Sequence, residues 1–282
     1  MRPPKVSTMS TNIESLPAYA PLLKAFHREF EGELRVMLSK LPIRVGDQIL
    51  EVATGDGQFA IWLQEMVGNG GSVTAIDIST AWLREAQKNI EHSNFGDVEL
   101  QQADATQLPF PDASFDFVWC AQSLYSLPRI NGCLAEMQRV LRPVGRVALL
   151  ENDSLHHVLL PWPVDLELHI LAAELKSFRQ SASQPAKFYA GRWLSRLLRQ
   201  AGFRRTHERS FASTRQQPLS AAADEYFQAH LQSLQERVQP WLKPRARQRL
   251  ARLADPSSRH CLWKQPDFVA VCIDRVVWAE KR

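Results

Sequence analysis

The chain has 282 residues, of which 45% are hydrophobic and 23% charged, and a formal net charge of +4 at pH 7. These proportions belong to an ordinary globular protein with one large domain or a domain with a cap, and they argue against disorder. The small positive charge does not by itself imply a nucleic-acid partner.

Residues 1 to 15 are rich in Ser, Thr and Pro and read as a tail, without the apolar core of a signal peptide. From Leu16 to Leu41, the positions Leu22, Leu23, Phe26, Phe30, Leu34, Met37 and Leu38 recur at helical spacing, which predicts one amphipathic helix or two. This segment either packs as core or forms a lid in which Tyr19, Phe26 or His27 covers a ligand.

The stretch from Ile49 to Ala60 is an apolar run with an acid, Glu51, inside it, then the turn Ala53-Thr54-Gly55-Asp56-Gly57, then the start of a helix. A buried strand thus feeds a loop whose backbone a ligand can approach closely. Gly55-x-Gly57-x-x-Ala60 fits the dinucleotide pattern G-x-G-x-x-A. A pyrophosphate, however, gains nothing from an acid in the preceding strand, whereas a cationic ligand does.

The helix Gly57 to Met66 stops at Gly68-Asn69-Gly70-Gly71, and strand Ser72 to Ile76 runs to Asp77. That acid either accepts hydrogen bonds from a ribose diol or caps the helix Thr80 to Ile90. Strand Val98 to Ala103 ends at Asp104-Ala105, and a proline-broken loop leads to strand Phe115 to Ala121. Three acids therefore fall at three successive strand ends.

A helix over Arg129 to Leu141 precedes the turn Arg142-Pro143-Val144-Gly145 and strand Arg146 to Leu150, which runs into Glu151 to His157. Beyond it the pattern predicts a helical insertion over 158 to 187 and helix Ala190 to Ala201 closed by Gly202. Strand Phe203 to Phe211, two helices within Ala221 to Ala254 and strand Phe268 to Ala279 follow. Cys120, Cys133, Cys261 and Cys272 show no C-x-x-C spacing and read as buried thiols, with neither disulfide nor metal. Arg245, Arg249 and Arg252 share a helical face, but without interleaved aromatics this is a solvated face and not a nucleic-acid patch.

Glu51-x-Ala53-x-Gly55-x-Gly57 resembles the first motif of the class I S-adenosylmethionine (SAM) dependent methyltransferases, with Ala53 in place of the first glycine. Leu108-Pro109-Phe110 with Ser114 to Val118, and Leu141 to Gly145, resemble later segments of the same family, most closely its small-molecule ubiquinone/menaquinone C-methyltransferase group. The resemblance covers residues 43 to 152. It implies an α/β, Rossmann-like doubly wound sheet with mostly parallel strands, an antiparallel last strand and helical insertions forming a cap.

The domains it implies are a tail and lid helix over 1–42 and a methyltransferase domain over 43–282, with a core at 43–152 and cap insertions at about 155–187 and 219–262. It also implies that Glu51, Ala53, Thr54, Gly55, Gly57, Asp77, Ile78, Trp82, Asp104, Ala105, Ala121 and Gln122 hold SAM. Gly55 and Gly57 would clear space for it, Glu51 would orient its amino group, Asp77 would bind its ribose, and Asp104 with Ala105 its adenine.

The expected reaction is O-, N- or C-methylation of a small-molecule acceptor in the cytoplasm. The aromatics of the inserts either roof the acceptor or form the inserts' own core. Because imidazole is matched to accept a proton near neutral pH, His156 or His157 is a candidate base, and Tyr125 a group that orients the acceptor. An NAD(P)-dependent oxidoreductase and a non-catalytic SAM-binding partner protein remain alternatives.

Overall fold

The computed structural model describes residues 14–93, 97–181 and 185–282. The tail expected over residues 1 to 15 therefore lies outside the described residues apart from Glu14 and Ser15. The segment ahead of the first strand forms two helices, α1 Ala20–Glu29 and α2 Glu31–Leu38, meeting at Phe30. Their apolar faces are core, since Phe26, Phe30, Leu34, Met37 and Leu38 are all buried.

Strand β1 is Gln48–Val52, followed by α3 Gln58–Val67, β2 Ser72–Asp77, α4 Thr80–Glu91, β3 Val98–Gln102 and β4 Phe115–Ala121. Helix α5 Ile130–Val140 leads directly into β5 Leu141–Leu150. The expected turn before β5 is instead an irregularity within it. Pairing with β4 jumps from Phe115↔Leu141 to Phe117↔Arg146, with Val144 at φ +59° where a glycine would be unstrained.

The second half departs more from the pattern. The insertion opens with a two-residue strand, β6 Val158–Leu159, before α6 Val164–Ser181. The single helix expected over Ala190 to Ala201 is a 3-10 stretch, Pro185–Arg192, followed by α7 Leu194–Gln200. Gly191 sits on the backbone of Asn152, where a Cβ would come within 2.8 Å of its carbonyl carbon, so packing against the sheet end overrides helical periodicity. Strand β7 Arg204–Gln216 is longer than expected because β8 Val269–Glu280 pairs along it. Between them lie α8 Ala221–Val238 and α9 Pro244–Ala254.

Among the described residues the strands form one sheet in the order β3-β2-β1-β4-β5-β8-β6, with β7 also on β8. Strands β1 to β5 are parallel, and β8 runs antiparallel to β5, β6 and β7. One face of the sheet packs against α1, α2, α3, α8 and α9, the other against α5 and α7. The four cysteines are free and buried. On α9, Arg249 pairs with Asp165 of α6, while Arg245 and Arg252 are exposed. No described helix is long and apolar enough to cross a membrane.

Candidate active site

Parallel pairing sets the ends of β1, β2 and β3 side by side, with Val52 opposite Ile76 and Asp77 opposite Gln102. The chain leaves β1 through a turn with Ala53 at φ +60°, Gly55 at +59° and Gly57 at +76°. Ala53 thus keeps the left-handed path of the glycine it replaces, at the steric cost of its methyl. The Gly55 N–H donates to Asp77 Oδ2 at 3.1 Å, and the Thr54 N–H to the Ile76 carbonyl at 2.9 Å, which ties the turn to β2.

A Cβ on Gly57 would lie 2.9 Å from the Ala86 Cβ of α4. The close approach that forbids a side chain there is that of α4. Beside the expected space for a ligand, packing thus gives Gly57 a reason of its own. At Gly55 a Cβ would meet only the Leu23 side chain, at 3.6 Å.

Glu51 is buried inside β1, and burial pushes its carboxyl up to about 8 although the Thr54 hydroxyl donates to it. Asp77 is also buried; burial raises it against the N–H groups of Ser79, Gly55 and Ile78. It does not cap α4, since the cap is the Ser79 hydroxyl, which accepts from the Trp82 N–H at 3.3 Å. Asp104 is exposed and closes its own turn by accepting the Thr106 N–H at 2.8 Å, with Ala105 buried beside it. Trp82 is buried and Ile78 half exposed.

Past β4, Ala121 leads to Gln122, which takes φ +48° and donates its N–H to the Leu150 carbonyl at 2.7 Å. The Ser123 hydroxyl reaches back to the Ala53 carbonyl at 3.4 Å. Glu151, at the end of β5, accepts from the Leu124 N–H and is pushed up to about 8 by burial.

Tyr125 stacks on Phe188 at 5.8 Å, and Phe188 on Phe178 at 4.3 Å, forming a column of flat rings. Burial raises the Tyr125 phenol well above its ordinary value, aided by Tyr19, with which it shares a hydrogen bond. Tyr19 also faces Trp82, with ring centroids 6.3 Å apart. The start of α1 therefore lies over the strand ends.

His156 and His157 are not gathered to this edge. His156 is exposed, and His157 packs edge-on to His230 at 5.8 Å. Both line a small, partly open cavity of about 40 Å³ within the cap that also involves Glu174 and Arg237 and none of the strand-end acids. Burial, with the Arg237 charge, pushes His157 down to about 4. A more open cavity of about 460 Å³, lined by Gln217 to Ala221, Asp224 and Lys264, likewise includes no strand-end acid.

What the sequence reading missed is the tie between His27 and Asp56 and the burial of Glu151. A polar residue between two glycines, and an acid closing a strand, were the available signals. Glu51, Asp77 and Glu151 are buried acids, and no lysine or arginine figures among the groups that shift them. Such a cluster suits a ligand that brings its own positive charge, because a cation offsets the desolvation that raises these acids.

Comparison with known proteins places residues 50–149 in the family described as methyltransferase domain. The chain is 31% identical over 181 residues to a demethylmenaquinone methyltransferase of Lactobacillus johnsonii, covering 61% of this chain and 74% of that protein. It is 38% identical over 118 residues to a ubiquinone/menaquinone biosynthesis C-methyltransferase of Hahella chejuensis, covering 42% and 47%. Among solved structures, the YcgJ protein of Bacillus subtilis superposes with a TM-score of 0.56 at 16% identity, covering 89% of this chain and 99% of that one.

Proposed function

Because this chain belongs to the class I SAM-dependent methyltransferases, we propose that its methyl acceptor is a flat, apolar small molecule held beneath the helical cap. The family assignment removes the hydride-transfer reading of the glycine loop and the reading as a non-catalytic partner. The observation that carries the site is the parallel, side-by-side setting of β1, β2 and β3, which brings Glu51, Asp77 and Asp104 toward one edge of the sheet.

Bound SAM supplies a methyl on a sulfonium whose leaving group is already activated. Glu51 would hold the positive end of the cofactor, with the loop Ala53-Thr54-Gly55 beside it. Asp77 has lone pairs left after accepting from Gly55 and Ser79, and these take a ribose diol. Asp104 and Ala105 would hold the adenine edge, with Ile78 and Trp82 as its apolar walls, while Ala121 and Gln122 would floor the methionine end.

The column Tyr125, Phe188 and Phe178 forms a wall on which a planar acceptor stacks. The raised phenol of Tyr125 stays protonated, so it orients an acceptor by hydrogen bonding and does not take its proton. No base is placed at His156 or His157, given their position in the cap. Catalysis then rests on holding donor and acceptor in line, an effect of about 7–11 kcal/mol in favourable cases. The demethylmenaquinone methyltransferases among the relatives support an aromatic acceptor.

The test is transfer of labelled methyl from SAM to a reduced naphthoquinone acceptor. The expected result is a methylated product with equimolar S-adenosylhomocysteine, and in Tyr125→Ala a loss of turnover with cofactor affinity retained. Transfer confined to hydrophilic acceptors, or full turnover in Tyr125→Ala, would overturn the acceptor assignment.

A further inference from the structure

His27 of α1 is 29 positions before Asp56 in the chain, yet its Nδ1 lies 3.1 Å from Asp56 Oδ2. Both residues are deeply buried, at 6% and 2% exposure. Because a carboxylate can only accept, Nδ1 carries the proton in this contact. The imidazole ring is edge-on to Phe59 at 5.2 Å and to Trp62 at 5.9 Å, both on α3, and its Nε2 is buried without a hydrogen-bond partner among the described residues. So the ring does not cover a ligand, as a lid residue would. It is sunk beside the loop.

Asp56 is the residue between the two left-handed glycines of the turn. Its neighbours are each fixed from another side: Gly55 by Asp77, Gly57 by the close packing of Ala86, and the Asp56 carbonyl by the Asn89 amide at 2.8 Å. The carboxylate itself has His27 on one oxygen and a longer contact, 3.3 Å, from the Gln58 N–H on the other. Burial works to raise its pKa, but His27, the Gln58 N–H and the Lys24 charge hold it below the usual carboxylate range. Without the imidazole, a buried carboxylate would keep one weak donor, and the turn would have to shift to hydrate it.

The same end of α1 is anchored to the cap, since Phe26, beside His27, and Phe30, at the C-terminal boundary of the helix, meet Tyr226 of α8 at 6.2 and 5.0 Å. We propose that His27 is a positioning residue for the cofactor: through Asp56 it holds the Gly55-Asp56-Gly57 turn in its binding shape, so that cofactor affinity depends on α1 being docked. The inference rests on the strand-end cofactor site given above.

The experiment pairs calorimetric titration of S-adenosylhomocysteine with hydrogen exchange of the 55–58 amides in the ligand-free chain. His27→Leu removes the donor at similar volume, and His27→Asn keeps one near the place of Nδ1. In His27→Leu, Kd should rise about 10-fold or more, with faster exchange of the turn amides and a raised KM for SAM at nearly unchanged kcat. His27→Asn should recover most of that affinity, which a loss of packing alone would not allow.

If His27→Leu does not fold, Asp56→Ala, which removes the acceptor of the same contact from the loop side, should show the same weakening. Wild-type affinity and exchange in His27→Leu, or in Asp56→Ala if that variant must stand in, would overturn the proposal, as would equal losses in the Leu and Asn variants of His27. Failure of the wild-type chain to bind S-adenosylhomocysteine would instead strike the cofactor site itself, so the two failures are separable.

Discussion

The Thr54 hydroxyl donates to Glu51 Oε2 at 2.7 Å, so the loop that leaves β1 folds back on the acid inside it. Even so, Glu51 is pushed up to about 8, chiefly by burial. In the unfolded chain a glutamate titrates near pH 4.3, so over about pH 4.5 to 8 the folded, ligand-free protein holds the extra proton. Its contribution to stability is complete below that window and is lost as pH rises through about 8. A cationic cofactor favours the ionised form, so SAM affinity should rise across the same range. Melting curves and calorimetry from about pH 6 to 9 should show both trends reduced in Glu51→Gln. A variant that titrates like the wild type would contradict this role.

Asp77 serves the turn and the ligand together. Asp77→Asn should weaken S-adenosylhomocysteine binding by about 1.5 to 3 kcal/mol, the range for a hydrogen bond to a charged group. Asparagine keeps one acceptor for the Gly55 or Ser79 N–H, so the fold should survive. Calorimetry showing wild-type affinity would remove Asp77 from the ribose site.

Tyr19 joins α1 to Tyr125 and Trp82, whereas Phe26, Phe30 and Leu34 belong to the main core. A chain beginning at Ala20 should therefore fold, bind cofactor less tightly and lose turnover, as proteins that lose a closing element do. One beginning after Leu41 should not fold, because it lacks those core side chains. Circular dichroism and turnover distinguish the cases, and unchanged kinetics in the shorter truncation would exclude a covering role for Tyr19.

His157, half-buried, packs against the buried His230 in the cap, and desolvation lowers both, His157 to about 4. Histidines buried in this way stabilise the fold above about pH 6.5, and that contribution is lost as pH falls toward the folded value. His157→Phe should flatten the acid side of the melting-temperature profile and leave turnover near neutral pH within a few-fold. A drop in kcat of about 100-fold with loss of the acidic limb of the rate profile would restore His157 as a base.

The fold of the first half of the chain was legible because its signals are local. An acid inside a strand, glycines at left-handed positions and acids at strand ends each follow from a few consecutive residues. The cap was less so. Gly191 breaks the predicted helix by pressing on Asn152 of a distant strand end, and Val158-Leu159 becomes a strand only because β8 offers an edge to pair with. His157 illustrates the same limit: its place after β5 suggested the catalytic edge, but contact with His230, 73 positions later, turns it into the cap.

The most direct test of the account is a crystal structure of the chain with S-adenosylhomocysteine. The prediction is a cofactor lying across the ends of β1, β2 and β3, with its amino acid end toward Glu51, its ribose hydroxyls within hydrogen-bond distance of Asp77, its adenine beside Asp104 and its sulfur facing the Tyr125 and Phe188 rings. A cofactor bound elsewhere, or one whose ribose leaves Asp77 engaged only with Gly55 and Ser79, would contradict it.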